Sequence, residues 1–173
     1  MIRKAGLALL PLLLAGCTGT VKTVPLTAEN TARPIAVQPL LCAYRLQEVR
    51  DERPDGDSAG GLGWNKLVMK DPTEMVRQQL TQRGLQPADS SAGRNLVVTL
   101  KRMYVAPAMM SKLAIVVYQV KLDGEVPYLI RAQVARGNWN GSQAEALSVF
   151  SDAMRSADER TITWLNQRCG AGS

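Results

Sequence analysis

The residues with the densest chemical potential lie in one stretch, 51-DERPDGDSAGGLGW-64, which holds four carboxylates, one arginine and four glycines and closes on a tryptophan. Asp51, Asp55 and Asp57 are oxygen donors of the kind calcium takes. A helix–loop–helix calcium loop, however, requires a bidentate acid at its twelfth position, and counting from Asp51 that position is Leu62. A phosphate cradle requires a lysine and a hydroxyl after its last glycine, whereas Gly63 is followed by Trp64 and Asn65. A hydrolase of cell-wall glycans requires two acids across a cleft, with Asp51 or Glu52 as one of them. The turn reading has direct support: Pro54-Asp55-Gly56 is turn sequence, and Gly60, Gly61 and Gly63 reach backbone conformations closed to other residues. Within it Trp64 packs back onto the first helix, or else serves as an aromatic anchor for a partner or glycan.

The chain contains no histidine. That removes the commonest general base and metal ligand and excludes serine–histidine and cysteine–histidine nucleophiles. Ser111-Lys112 is the one adjacent serine–lysine pair, and it falls where a strand begins. No catalytic residue, metal ligand or cofactor is assigned, and the chain is expected not to be an enzyme.

The elements that would position these residues follow from periodicity. A first strand, 40-LLCAYRLQEVR-50, turns Leu40, Cys42, Tyr44 and Leu46 to one side. In 71-DPTEMVRQQLTQRGL-85, Asp71 is a helix N-cap, Pro72 takes the first helical position, Glu74 completes a capping box and Gly84 ends the helix. Three strands follow over 95–105, 112–122 and 126–139, the last two joined by an Asp123-Gly124 turn. Their inward sets are Leu96, Val98 and Leu100, then Ala114, Val116, Tyr118, Val120 and Leu122, then Tyr128, Ile130, Ala132 and Val134. A long helix over 142–168 opens on a Ser142/Glu145 capping box and carries an apolar stripe from Leu147 to Leu165. The order predicts one α+β domain over 38–173, an antiparallel-rich sheet with two helices packed on one face. Its outward face then holds Arg45, Lys101, Lys121 and Arg131 beside Gln47, Thr99, Gln119 and Gln133, with no acid among them. Such a face is either solvated or suited to an anionic polymer or lipid head group. Leu113, Ile115 and Val117 share it, as a partner patch or as a surface for the preceding chain to cover.

The N-terminus carries an address. Arg3 and Lys4 precede an apolar run too short to span a bilayer, and 14-LAGC-17 resembles the lipobox of bacterial lipoproteins. The resemblance implies a signal peptide over 1–16, a lipidated Cys17 and, with Thr18 rather than aspartate next to it, a periplasm-facing position on the outer membrane. Residues 17–37 have no regular apolar period and read as a flexible tether. The mature chain keeps 19 basic against 15 acidic residues, a net charge of +4, scattered in a way that does not suit nucleic acid. Cys42 and Cys169 remain as an even pair, either a disulfide or two buried thiols.

With 49-VRDERP-54, a glycine-containing loop, a helix ending 80-LTQRGL-85, a meander and a last helix behind a lipobox, the chain resembles the YajG-like family of uncharacterised bacterial lipoproteins over residues 38–168. The cysteine pair lies outside that resemblance, which supplies no catalytic residues. The reading that results is a non-catalytic envelope lipoprotein binding a protein, glycan or anionic lipid through its sheet face or the 51–64 loop. The alternatives are an accessory subunit of an envelope lipid or lipopolysaccharide transport system, holding lipid between sheet and helices, and the carboxylate hydrolase. Oligomeric state is left open.

Overall fold

A computed structural model describes residues 20–137 and 140–170, so the expected signal peptide and Cys17 lie outside the described residues. The framework is a long antiparallel hairpin of β5 (Arg94–Ala108) and β6 (Ser111–Leu122), continued by β7 (Tyr128–Gly137). Alternating apolar side chains account for it. Leu96, Val98, Leu100, Ala114, Val116, Tyr118, Val120, Leu122, Ile130 and Ala132 are all buried on one face. β2 (Tyr44–Asp51) runs parallel to the first half of β5. The second half of β5 meets β3 (Ser58–Leu62) at Gly60 and Val105, also in parallel. β3 pairs antiparallel with β4 (Asn65–Val68), and β1 (Lys22–Pro25) joins β4 in parallel. The result is a seven-stranded sheet in the order β1-β4-β3-β5-β6-β7, with β2 beside β5.

The helices cover one face, which makes the α+β architecture the expected one. α2 (Pro72–Gln82) starts where Asp71 accepts from the Glu74 N–H at 2.9 Å, and Gly84, at φ 102°, ends it. Its capping box is only half formed. The Glu74 carboxylate faces Gln78 and Arg77 one turn on instead of reaching back. In α3 (Gln143–Asn166) the Ser142/Glu145 box closes both ways, and Phe150, Met154, Ala157, Thr161, Trp164 and Leu165 are buried.

Residues 22–37 are not a free tether. Val24 and Leu26 are buried, α1 (Ala28–Thr31) follows a cap in which Thr27 and Asn30 bond reciprocally, and Ile35, Val37 and Leu40 pack on the core. The stretch then runs beside α3, its Ala36 and Leu41 N–H groups donating to Glu159 Oε1 at 3.2 Å and Asn166 Oδ1 at 2.9 Å. Two apolar residues at alternate positions seat β1, too few to show as a period in the sequence. The 51–64 stretch is likewise more than a turn: residues 58–62 are β3, stitched to β4 around Gly63 and Trp64.

Cys42 and Cys169 are joined as a disulfide, their Cα atoms 5.6 Å apart. Beside it the Tyr44 hydroxyl donates to the Leu165 carbonyl at 2.6 Å, fastening the end of α3 to β2.

Candidate functional site

The candidate binding surface is the sheet face away from the helices, and two bulges decide what it displays. In β2 the register shifts between Leu46 and Glu48, and in β5 between Leu100 and Arg102. A bulge inserts one residue and reverses which side chains face out beyond it. Val49 is therefore inside, with Glu48 and Arg50 outside; likewise Met103 and Val105 are inside, with Arg102 and Tyr104 outside.

The expectation of four cations without an acid does not hold. Glu48 sits on this face and pairs with Arg50 at 2.6 Å, and Lys101, at the bulge itself, pairs with Glu52. Arg45 is half-buried at the far end of the face, donating to Asn95 Oδ1 at 2.7 Å and to the Ser90 carbonyl, where it ties down the loop before β5. Lys121 and Arg131 do stand exposed on the outer face as expected. Arg102 joins them. Alternation hid it, because only the bulge at Lys101 brings it outward.

Register places Arg102 and Arg131 on either side of Val117, in neighbouring strands. Arg102 also lies over the Tyr104 ring, 5.9 Å from its centroid, and Arg131 donates to Gln133 Oε1 at 3.0 Å. Among the described residues no carboxylate is within ion-pair distance of Arg102, Lys121 or Arg131. Next to Arg102, a shallow depression of about 360 Å³ is lined by Tyr104, Ala106, Gly60, Ser58 and Asp55. Ile115 is buried between the rows of Tyr104 and Gln133, while Leu113 and Val117 are half-buried. The described part of the N-terminal segment packs on the helical side, where α1 contacts α2 and α3.

The other candidates are distributed as follows. Trp64 does not pack on a helix: it stands exposed at the β3–β4 turn. Tyr128, expected inside, is half exposed at the start of β7, stacked on Trp164 at 5.8 Å with Arg168 over the Trp164 ring at 4.0 Å. Asp51 is held by Arg53 through two contacts of 2.9 Å, and Glu52 by Lys101, so the two acids proposed for glycan hydrolysis are each committed to a cation. Lys112 is buried, its Nζ 2.6 Å from Glu145 Oε1 and 2.8 Å from the Gly137 carbonyl. A serine activator would need that amine neutral and free. Between sheet and helices the space is filled by Tyr44, Tyr118, Phe150, Leu96 and Leu100, which counts against a lipid carried there.

One carboxylate is held out of water. Asp158 of α3 is buried with Arg83 Nε 3.7 Å away, and neither of its oxygens has a hydrogen-bond partner among the described residues. Burial, opposed by Arg83 and reinforced by Glu159, pushes its pKa up to about 7. Because the folded pKa is raised above the unfolded value, the fold binds more protons than the unfolded chain between about pH 4 and pH 7, so stability falls as pH rises through that window. No histidine titrates there. Carboxylates held below their usual range, such as Glu125 by its Arg94 hydrogen bond, act at lower pH. The melting temperature is therefore expected to fall between pH 5 and pH 8, and Asp158→Asn to flatten that slope, as parallel thermal melts will show.

No protein-family model matches the chain, and no curated protein matches it. Its likenesses are of fold. XCC0632 from Xanthomonas campestris, described as family DUF330, superposes with a TM-score of 0.59 at 13% identity, covering 87% of this chain and 99% of that one. An uncharacterized protein follows with a TM-score of 0.51 at 12% identity, covering 84% and 99%. A minor lipoprotein from Acinetobacter baumannii superposes more loosely, with a TM-score of 0.37 at 14% identity over 77% and 94%. Among the described residues no helix is long and apolar enough to cross a membrane.

Proposed function

We propose that this is a non-catalytic lipoprotein of the bacterial envelope, held on the periplasmic side of the outer membrane by lipid on Cys17, whose outer sheet face binds an anionic envelope component. The observation that carries the reading is the trio Arg102, Lys121 and Arg131. They are exposed, they have no acidic partner among the described residues, and two of them flank the half-buried Val117. Arginines beside an apolar strip suit an interface better than open solvent, because the guanidinium is weakly hydrated and carries several donors. The partner class is an acidic protein surface, glycan or lipid head group. An accessory role in an envelope lipid or lipopolysaccharide transport system is compatible with this reading as a binding role on the same face; the filled core gives no support to carriage inside the domain.

The test is cross-linking in cells of the native lipidated protein beside an Arg102→Glu/Lys121→Glu/Arg131→Glu variant whose circular dichroism matches the native. Capture of a partner by the native chain, at least tenfold weaker in the variant, is the expected result. Equal capture by both would overturn the sheet-face assignment. Arg45 and Lys101 stay unaltered, since both are engaged in holding neighbouring chain.

A further inference from the structure

One end of the sheet gathers apolar side chains that no part of the described chain covers. β3 runs parallel to β5 with Gly60 opposite Val105, so the β3–β4 turn at Gly63 and Trp64 lies at the same end as the β5–β6 turn at Met109 and Met110. β1 starts at that end as well: Lys22 is in register with Asn65, and its N–H donates to the Trp64 carbonyl at 2.8 Å. Trp64 is 63% exposed, Met109 103%, Met110 84% and Val21 59%, with Pro107 and Ala108 exposed beside them. Turns are ordinarily made of polar residues and glycine, as the Asp123-Gly124 turn at the opposite end is. A hairpin tip of two bare methionines beside a bare tryptophan is an exposed apolar patch, the kind of surface that marks a contact.

The charges around the two ends differ. The apolar end exposes the cations Lys22 and Lys66, and the acids there, Glu145 and Asp152, are engaged by Lys112 and Arg136. The opposite end also exposes Leu41, Val126, Tyr128 and Leu129, but beside the acids Asp123 and Glu125, the second of which is paired with both Arg94 and Arg168. Chain connectivity then selects between them. Cys17 precedes Lys22 by five residues, which reach at most about 17 Å when fully extended. A lipid on Cys17 holds this end, and no other, against the bilayer.

We infer that Trp64, Met109 and Met110 seat in the surface of the bilayer that carries the Cys17 lipid, with Lys22 and Lys66 at the level of its phosphates. Tryptophan partitions to that depth because its ring is apolar and its N–H stays wet. The domain is thereby oriented: strands stand up from the membrane, the disulfide end is farthest from it, and the Arg102–Arg131 face is turned sideways, open to a partner on the same membrane. This rests on the lipid anchor of the proposed function.

The experiment uses the full lipidated chain reconstituted in vesicles of phosphatidylethanolamine and phosphatidylglycerol, with a nitroxide at Met110→Cys, at Trp64→Cys or, as the control, at Gly124→Cys. Collision with oxygen, which concentrates in lipid, is compared with collision with a water-soluble nickel chelate. The expected result is an oxygen-to-nickel ratio several-fold higher at positions 110 and 64 than at 124. Vesicles that carry the protein on flotation while all three labels show the same low ratio would overturn the seating and leave the anchor standing. A chain that fails to float with the vesicles would overturn both. Met110 touches little of the fold, so its label reports even if the Trp64 variant does not fold.

Discussion

Replacing Cys42 and Cys169 together by serine is expected to lower the melting temperature by roughly 10 to 20 °C. The bond closes a loop of 127 residues, nearly the whole described chain. Cross-linking so long a loop removes conformations from the unfolded state and, in the chain-entropy account, is worth about 5 kcal/mol. The native state loses little else. Asn166 still accepts from the Leu41 N–H at 2.9 Å and donates to the Pro39 carbonyl at 3.1 Å, and Tyr44 still holds Leu165 at 2.6 Å, so serines at the two positions leave the end of α3 in place. The native circular dichroism spectrum should be retained at low temperature and the loss should appear only in the melt. Reduced native protein should melt with the double-serine variant. A difference of under about 3 °C between variant and oxidised protein would mean that the unfolded chain is not appreciably freed by cutting the bond.

How much of this was legible in the sequence depends on how many residues each element uses to announce itself. α3 and the β5–β7 meander repeat their apolar residues over many positions, and a capping box or an Asp-Gly turn marks their ends, so their existence and order could be read, and their faces except at the start of β7 and beyond the bulge in β5. β1, α1, β3 and β4 are four or five residues long. β1 with its exit is seated by Val24 and Leu26 alone, and β3 is glycine-rich, which in isolation means turn. What makes β3 a strand is its contact with β5, a tertiary fact. The outer sheet face suffered most from the bulges. A single inserted residue at Lys101 exchanged the faces of the rest of β5, which brought Arg102 out and left Lys101 beside Glu52. Cys42 and Cys169 were visible as an even pair, and their meeting depended on the chain beside α3 returning to its C-terminal end. Trp64 was misplaced because a tryptophan is assigned to the core by default, whereas here the turn that carries it ends at the edge of the structure.

Gly60→Ala is expected to destabilise the domain by roughly 3 to 5 kcal/mol, read as a shift of the urea midpoint. Gly60 has φ 74°, and a methyl group placed on it would lie 2.0 Å from the Val105 carbonyl oxygen. That oxygen cannot retreat, because Val105 is fixed from its other side by the ladder to Ala114. β3 must instead peel from β5. With it goes the seam that buries Ala59, Leu62, Leu67 and Met69 and, through β4, seats Val24 of β1. Gly56→Ala separates the two contributions. Gly56 also has a positive φ, 54°, but nothing lies within 4 Å of an added methyl, so only the left-handed backbone preference is lost, about 1 to 2 kcal/mol. The excess of the Gly60 variant over the Gly56 variant therefore measures the β3–β5 contact itself. Equal midpoints would mean that β3 is not held against β5, and the shared end on which Trp64 and the methionine hairpin stand would lose its structural basis. A large excess would establish that the turn bearing Trp64 and β1 are fixed to the same rigid sheet that displays Arg102 and Arg131. The end proposed to face the membrane and the face proposed to bind would then move as one body, and a partner held on the sheet would be held at a set height above that end.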